Sequence, residues 1–347
     1  MAQLDNQSFP SSDGKDSGTI QPLYFPDRSY ASEAHTAGVY GLALTSSYLI
    51  SASKDTTIRI WSLETQRLVH PPLEGHFSSV LCVAASEPLD LIFSSGADCR
   101  LIIWRLSTGE RLHSAEKVHS EGITTIAISS KYLATGSKDC SIKVWDLDKL
   151  AKKLETTYRP NDTDSSKAVV TLTNNSVSPI NSVLLTERCL IAGSADGTIT
   201  VWETSTWDPV RTMATHSAGI SCLAISPDET KIVGGSSDHT LRIFDLTTGS
   251  QELRLTVSSS LVRSVCVPPG ERSEGLRRII SGSYDGAVHV WERKEGNKRF
   301  WKSKETFHAK DSSIESDSPI LVFKVLSDGQ RVYCASQSGS IVAWMMS

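Results

Sequence analysis

An all-β domain of seven repeated units, each a four-stranded antiparallel sheet, is the fold this sequence predicts. Two observations carry the prediction. The first is the stretch from His119 to Asp146, where the runs ITTIAI, YLATGS and SIKVW follow one another with turn residues between them. Runs this short, alternating at period two and rich in Ile, Val and Thr, read as strands rather than helices. The second is repetition. A small polar residue stands six positions before a strand-ending aromatic seven times: Asp55/Trp61, Asp98/Trp104, Asp139/Trp145, Asp196/Trp202, Asp238/Phe244, Asp285/Trp291 and Ser338/Trp344. Intervals between the aromatics vary from 41 (145−104) to 57 (202−145) residues. A constant offset within variable spacing describes rigid sheets joined by loops that tolerate insertion.

Composition fits one repeat array and excludes several classes. The chain has 347 residues, and 39% are hydrophobic against 21% charged, enough to bury a core along most of its length. A formal net charge of −4 argues against nucleic acid or an anionic membrane surface as the main partner. Seven cysteines, scattered and odd in number, form neither a disulfide framework nor a zinc site, so reduced thiols in the cytoplasm or nucleus are expected. Residues 1–20 are polar, lack a signal-peptide core and read as a disordered tail, with the repeat domain over 21–347. No apolar run is long enough for membrane insertion.

GSKDCSIKVWD and GSADGTITVW closely resemble the signature of WD-repeat β-propellers, and the likeness covers roughly residues 28–347. The resemblance implies a seven-bladed ring in which a His, a strand hydroxyl, the turn Asp and the Trp form a hydrogen-bond network inside each blade. Blades one to three keep these handles as His35/Asp55/Trp61, His76/Asp98/Trp104 and His119/Asp139/Trp145. Blade five keeps His216 and Asp238 but has Phe244. Blades four and six keep Asp196/Trp202 and Asp285/Trp291 with Ser176 and Ser258 where His is expected. Blade seven has Ser338 in place of Asp, so the second half of the ring is expected to be less rigid. Its outer strand must come from elsewhere, because only three residues follow Trp344. Residues 28–34 resemble the segment before His76 and are expected to supply that strand and close the ring.

Three insertions stand out. Residues 147–167 are expected to form a solvated loop on the lower face, and 268–278 another. Residues 309–319, AKDSSIESDSP, would project from the upper face and suit acidophilic phosphorylation. RKEGNKRFWKSK (293–304) looks basic enough for nucleic acid, yet its position makes it the outer edge strand of blade six, where lysines guard against edge pairing.

Catalysis finds no support. Five histidines (35, 76, 119, 216, 308) belong to the repeats, and the others lack metal-ligand spacing. No phosphate loop or nucleophile elbow is present. Neither a cofactor nor a metal is expected, and Cys99 and Cys140, partly exposed after turn aspartates, have no identifiable base.

What remains is binding. The resemblance implies that proteins and peptides dock on the upper face, at three positions per blade: the residues flanking the first inward residue of the inner strand, and the residue before the turn Asp. Most are small here. Tyr40, Lys54, Leu81, Leu261, Arg263, Tyr284 and Leu321 are the exceptions, and they fall on blades six, seven, one and two, which adjoin in a closed ring. The expected function is therefore a non-enzymatic scaffold that captures a protein or peptide partner, alone or within a multiprotein complex. Two alternatives stay open: substrate receptor of a ubiquitin ligase, or an enzyme or small-ligand binder using the central channel. The first lacks a preceding F-box and the Trp-Asp-x-Arg motif, since Trp145-Asp146 is followed by Leu147-Asp148.

Overall fold

The computed structural model describes residues 22–155, 168–173, 177–257, 260–270, 275–294, 300–308 and 321–346. Seven antiparallel sheets form a β-propeller. Their inner strands are Val39–Leu44, Val80–Ser86, Ile123–Ile128, Ile180–Leu185, Ile220–Ile225, Val262–Cys266 and Val322–Ser327. The second strands are almost wholly buried, for example Leu91–Gly96 and Cys189–Ser194. Sheets covered on both faces need apolar or small residues at every position, and these strands have them. Each core cluster therefore spans two blades: Ile50, Ile58 and Ile60 of blade one pack with Val80, Ile92 and Trp104 of blade two.

The ring closes as expected in kind but not in place. Blade seven takes its outer strand from Leu23–Phe25, which pairs antiparallel with Ile341–Met345 in the register Leu23↔Ala343, Tyr24↔Val342 and Phe25↔Ile341. Residues Arg28–Glu33, expected to be that strand, instead form a 3-10 helix whose start is capped by the Asp27 carboxylate, 2.9 Å from the Ser29 amide. Phe25 is 1% exposed and seated among Trp61, Tyr333 and Ile341. Burying a Phe is worth about 1.5–3 kcal/mol. Glu33 then fastens the helix to blade one, accepting from the Arg67 guanidinium at 2.7 Å and the Leu68 amide at 3.0 Å. Blade one is the sparsest sheet: only three strands are regular, and the outer segment joins at two isolated bridges, Trp61↔Leu68 and Ile58↔Leu73.

The insertion between the third and fourth strands of blade three also departs from expectation. Leu147–Glu155 is a helix, not a loop, started by the Asp146 carboxylate accepting from the Lys149 amide at 3.0 Å. Leu147 and Leu150 are buried, and both pack with Leu154 against Trp145, the spacing of one helical face. Residues 156–167 and 309–320 lie outside the described residues, as do 1–21, Ser176, Ser258 and residues 271–274 of the 268–278 insertion. Trp301, within the basic stretch, is 2% exposed and begins the outer strand Trp301–His308, so it is a core residue of blade six.

Candidate functional site

Every inner strand carries one extra residue near its start. In blade one the pairing jumps from Val39↔Ser53 to Gly41↔Ala52, leaving Tyr40 unpaired. The same jump isolates Leu81, Thr124, Asn181, Ser221, Arg263 and Phe323. A bulge of this kind re-aims its side chain and ends regular pairing. A second feature repeats with it: the amide before the turn Asp donates to the carbonyl before the inner strand. The seven bonds are Lys54→Gly38, Ala97→Ser79, Lys138→Gly122, Ala195→Pro179, Ser237→Gly219, Tyr284→Leu261 and Gln337→Leu321, at 2.8–3.3 Å. Together they lay out one rim of equivalent positions around the ring.

The rim corrects the reading of blade seven. Leu321 occupies the position of Gly38, and Phe323 is the bulge residue equivalent to Tyr40. Pro319, two positions before Leu321, lies outside the described residues. The Phe323 ring meets Tyr40 at 4.8 Å between centroids and Tyr284 at 5.8 Å. Aromatic side chains of blades one, seven and six thus form one cluster, with Phe323 buried as its floor and the tyrosines half-buried above. Gly38 makes the room: a Cβ there would stand 2.9 Å from Phe323 Cε2. Around the cluster, Lys54 is exposed, while Leu81, Leu261, Arg263 and Leu321 are half-buried.

Beneath the rim lie the blade networks. In blade two His76 Nδ1 is 2.8 Å from the Asp98 carboxylate, His76 Nε2 is 2.8 Å from Ser94 Oγ, and the Trp104 indole donates to the same Oγ at 2.8 Å. Blade one repeats this with His35, Asp55, Ser51 and Trp61. Blade three uses His119, Asp139 and Thr135. Each Asp also receives turn amides, such as Phe77 and Arg100 on Asp98, and so fixes the loop that presents the rim.

Blade four departs from the expectation that Trp202 acts as a member of such a network, whereas the Trp291 indole of blade six keeps its hydroxyl partner. Both indoles are buried, but each blade keeps only part of the constellation. In blade four Leu190 pairs with Trp202, which puts Ala192 where Ile92↔Trp104 puts Ser94. Without that hydroxyl the Trp202 indole has no counterpart of the Trp104 bond. Its role is packing, in the core shared by blades three and four with Val144, Leu172 and Val183. Blade six retains the hydroxyl, and the Trp291 indole donates to Ser281 Oγ at 2.9 Å. The His end of both networks falls on Ser176 and Ser258, outside the described residues. Asp196 and Asp285 still organise their turns, accepting from the Thr198 and Ala287 amides at 3.0 Å.

Burial would raise the Asp139 carboxyl, but the Ser141 hydroxyl, His119 and the Ser141 amide outweigh it and hold its pKa at about 2. Burial pushes the His35 and His119 imidazoles below their usual range, partly offset by their aspartates. These titrating groups are engaged within the network.

Burial raises the pKa of the Cys222, Cys266 and Cys334 thiols to about 12. Cys99 and Cys140 are raised by burial and by the adjacent Asp98 and Asp139 carboxylates. Among the described residues no three His, Cys, Asp or Glu side chains are placed to hold a metal ion, and no helix is long and apolar enough to cross a membrane.

Comparison with known proteins agrees with this architecture. The repeat profile described as "WD domain, G-beta repeat" matches residues 28–62, 67–105, 110–146, 166–203, 207–245 and 249–292. The chain is 23% identical over 322 residues to autophagy-related protein 16 of Arabidopsis thaliana, covering 90% of this chain and 56% of that protein. It is 27% identical over 245 residues to mitochondrial division protein 1 of Saccharomyces cerevisiae, covering 58% and 32%. Against protein tipD of Dictyostelium discoideum the figures are 24% over 269 residues, 76% and 41%. The chain thus spans from a third to just over half the length of these relatives. Six matched repeats, carried on a seven-bladed ring, establish that the chain belongs to the WD domain, G-beta repeat family.

Proposed function

We propose that the protein is a non-enzymatic interaction scaffold that docks a protein or peptide on the upper rim, over blades six, seven, one and two. The observation that carries this reading is the cluster of Tyr40, Phe323 and Tyr284, which no single blade could build. Aromatic and Arg side chains dominate the energetics of interfaces, and small residues around them supply fit. Leu81, Leu261 and Leu321 extend the apolar area, while Arg263 and Lys54 give it a basic edge suited to carboxylates on the partner. Seven free thiols support a reducing compartment, and the cytoplasm or nucleus is the proposed location.

The test is capture by the full chain. Tyr284→Ala with Arg263→Ala should abolish recovery of partner proteins while leaving the melting temperature within a degree or two of wild type. Val210→Ala, on the outer strand of blade four and 60% exposed, should capture as wild type does. Undiminished capture by the double variant places the docking surface elsewhere.

A further inference from the structure

Charge is distributed differently on the upper rim and on the rest of the molecule. Acidic residues outnumber basic ones in the chain, 39 to 35. Yet the rim positions of the seven blades, the two beside the first inward residue and the one before the turn residue, hold no carboxylate. They do hold cations, Lys54, Lys138 and Arg263. Blades one, three and six carry them, every second blade along the arc that runs six, seven, one, two, three. None of these side chains has a hydrogen bond or an ion pair among the described residues.

The rim carbonyls of the same three blades are already filled. A carbonyl oxygen has two lone pairs. That of Gly38 accepts from the Lys54 amide at 2.8 Å and the Ser53 hydroxyl at 3.0 Å. That of Gly122 accepts from the Lys138 amide and the Ser137 hydroxyl, both at 3.1 Å. That of Leu261 accepts from the Tyr284 amide at 3.3 Å and the Ser283 hydroxyl at 3.1 Å. Each blade thus satisfies its own acceptor from within, and the rim cations are left to water or to an acceptor that a partner brings.

The basic outer edge of blade six is different. Its cations gather on Glu292, with Arg278 Nε at 3.2 Å, Lys304 Nζ at 3.7 Å and Lys302 opposite it in register. Elsewhere Arg67, Arg100 and Lys231 are paired with Glu33, Glu116 and Asp245. An incoming acid would compete with a resident carboxylate at all of these places. On the rim it would compete with none.

We propose that the segment docked on the upper rim is an acidic, extended peptide. Its carboxylates pair with Arg263, Lys54 and Lys138, and one of its apolar side chains rests on the cluster of Tyr40, Phe323 and Tyr284. This rests on the rim being the docking surface and names the chemistry of what docks there. The Arg263 guanidinium can hold a carboxylate through two parallel bonds. The two exposed lysines steer an acidic chain toward the face and disfavour a basic one. Contact therefore reaches blade three, beyond the arc of the apolar cluster.

Panning a random-sequence peptide library against the immobilised full chain tests it. Peptides captured by wild type should carry Asp and Glu over Lys and Arg at about three times the input ratio or more. Lys54→Gln with Lys138→Gln should at least halve that enrichment, and adding Arg263→Gln should abolish it. Lys302→Gln, on the outer edge of blade six, should select as wild type does. Captured peptides of unchanged or basic charge overturn the proposal. So does enrichment that survives all three substitutions, or that is lost equally in Lys302→Gln. Should the triple variant fail to fold, the two exposed lysines decide, and undiminished enrichment in their double variant overturns the proposal. Failure of the rim itself looks different: Tyr284→Ala with Arg263→Ala then keeps its captured proteins. If that variant loses them while wild type selects no acidic peptides, the rim stands and the acidic chemistry falls.

Discussion

Blade two and blade seven occupy equivalent places in the ring and are held by different means. Blade two is fixed from inside: an imidazole, a carboxylate, a hydroxyl and an indole satisfy one another under the surface. Blade seven has Ser338 for the aspartate and Cys334 for the hydroxyl. A triangle of serine hydroxyls, Ser336, Ser338 and Ser340, closes its turn at 2.7–3.0 Å. What fixes it comes from outside, a strand from the far end of the chain with Phe25 in the joint. Blade five lies between the two. His216 meets Asp238 at 3.1–3.2 Å, but Gly234 stands where blade two has Ser94 and Phe244 replaces the indole. His216 Nε2 is left buried without a partner. The lesson is that the network is one way of making a blade rigid, dispensable where another element supplies the contacts.

The largest effect should come from removing the outside support. A chain beginning at residue 35 lacks both Leu23–Phe25 and the Glu33 clasp, and calorimetry should show the single melting transition broadened and shifted sharply down. A chain beginning at residue 21 keeps both and should melt near wild type. Equal melting of the two would mean that blade seven stands without its borrowed strand.

Next is the inside support. His76→Ala orphans the Asp98 carboxylate and Ser94 and should cost about 3 kcal/mol in denaturant unfolding. Ser338→Ala should cost about 1 kcal/mol or less. Similar losses in both would erase the distinction between the blades. The networks also titrate. Because burial depresses His35 and His119, the unfolded chain takes up their protons first, and stability should fall as pH drops below about 6.5. Asp139 adds a second loss below about pH 4, where the unfolded carboxylate protonates first, continuing toward its folded value of about 2. Melting temperature against pH reads both, and His119→Asn should flatten the upper step.

Two gains complete the series. Gly234→Ser supplies the missing partner of His216. Its Cβ would lie 3.0 Å from Nε2, so the ring must shift a few tenths of an ångström, toward Asp238, where the contacts are long. Stabilisation of about 1 kcal/mol is expected, read as a rise in melting temperature. Thr56 has φ 71° at the turn position that Gly197 and Gly286 fill in blades four and six. Thr56→Gly should relieve up to about 1 kcal/mol of left-handed strain, measurable in the same assay.

Most of the fold was legible because its grammar is local. The six-residue step from turn Asp to aromatic is set by one tight turn and one strand, and no insertion can fall inside it. That step alone does not report the hydroxyl on the neighbouring second strand, which is why Trp202 and Trp291 read alike in sequence and differ in their bonds. The closing strand was misplaced because its template was poor. The segment before His76, used to recognise it, is itself the least regular outer strand, held by two bridges. Leu-Tyr-Phe between Pro22 and Pro26 was the better signal, three residues bounded at both ends. Phe323 was missed for a different reason. From first inward residue to turn position the distance is 16 in blade one (55−39) and 18 in blade two (98−80), so Ile320 and Val322 both fit blade seven. Pairing of Val322 with Ser336 removes that ambiguity, and only three-dimensional register could. The helix at Leu147–Glu155 was legible in Leu147, Leu150 and Leu154, but loop composition further along the insertion drew attention from it.

Borrowing a strand across the whole chain sets a clock on biosynthesis. Phe25 and its partner Ile341 are separated by 316 positions (341−25), which a ribosome adding about 5–20 residues per second covers in roughly 15–60 s. Throughout that interval the nascent Leu-Tyr-Phe segment has no mate, and six finished blades form an open arc with a bare edge at each end. Chaperone occupancy during translation should therefore persist until the last strand emerges.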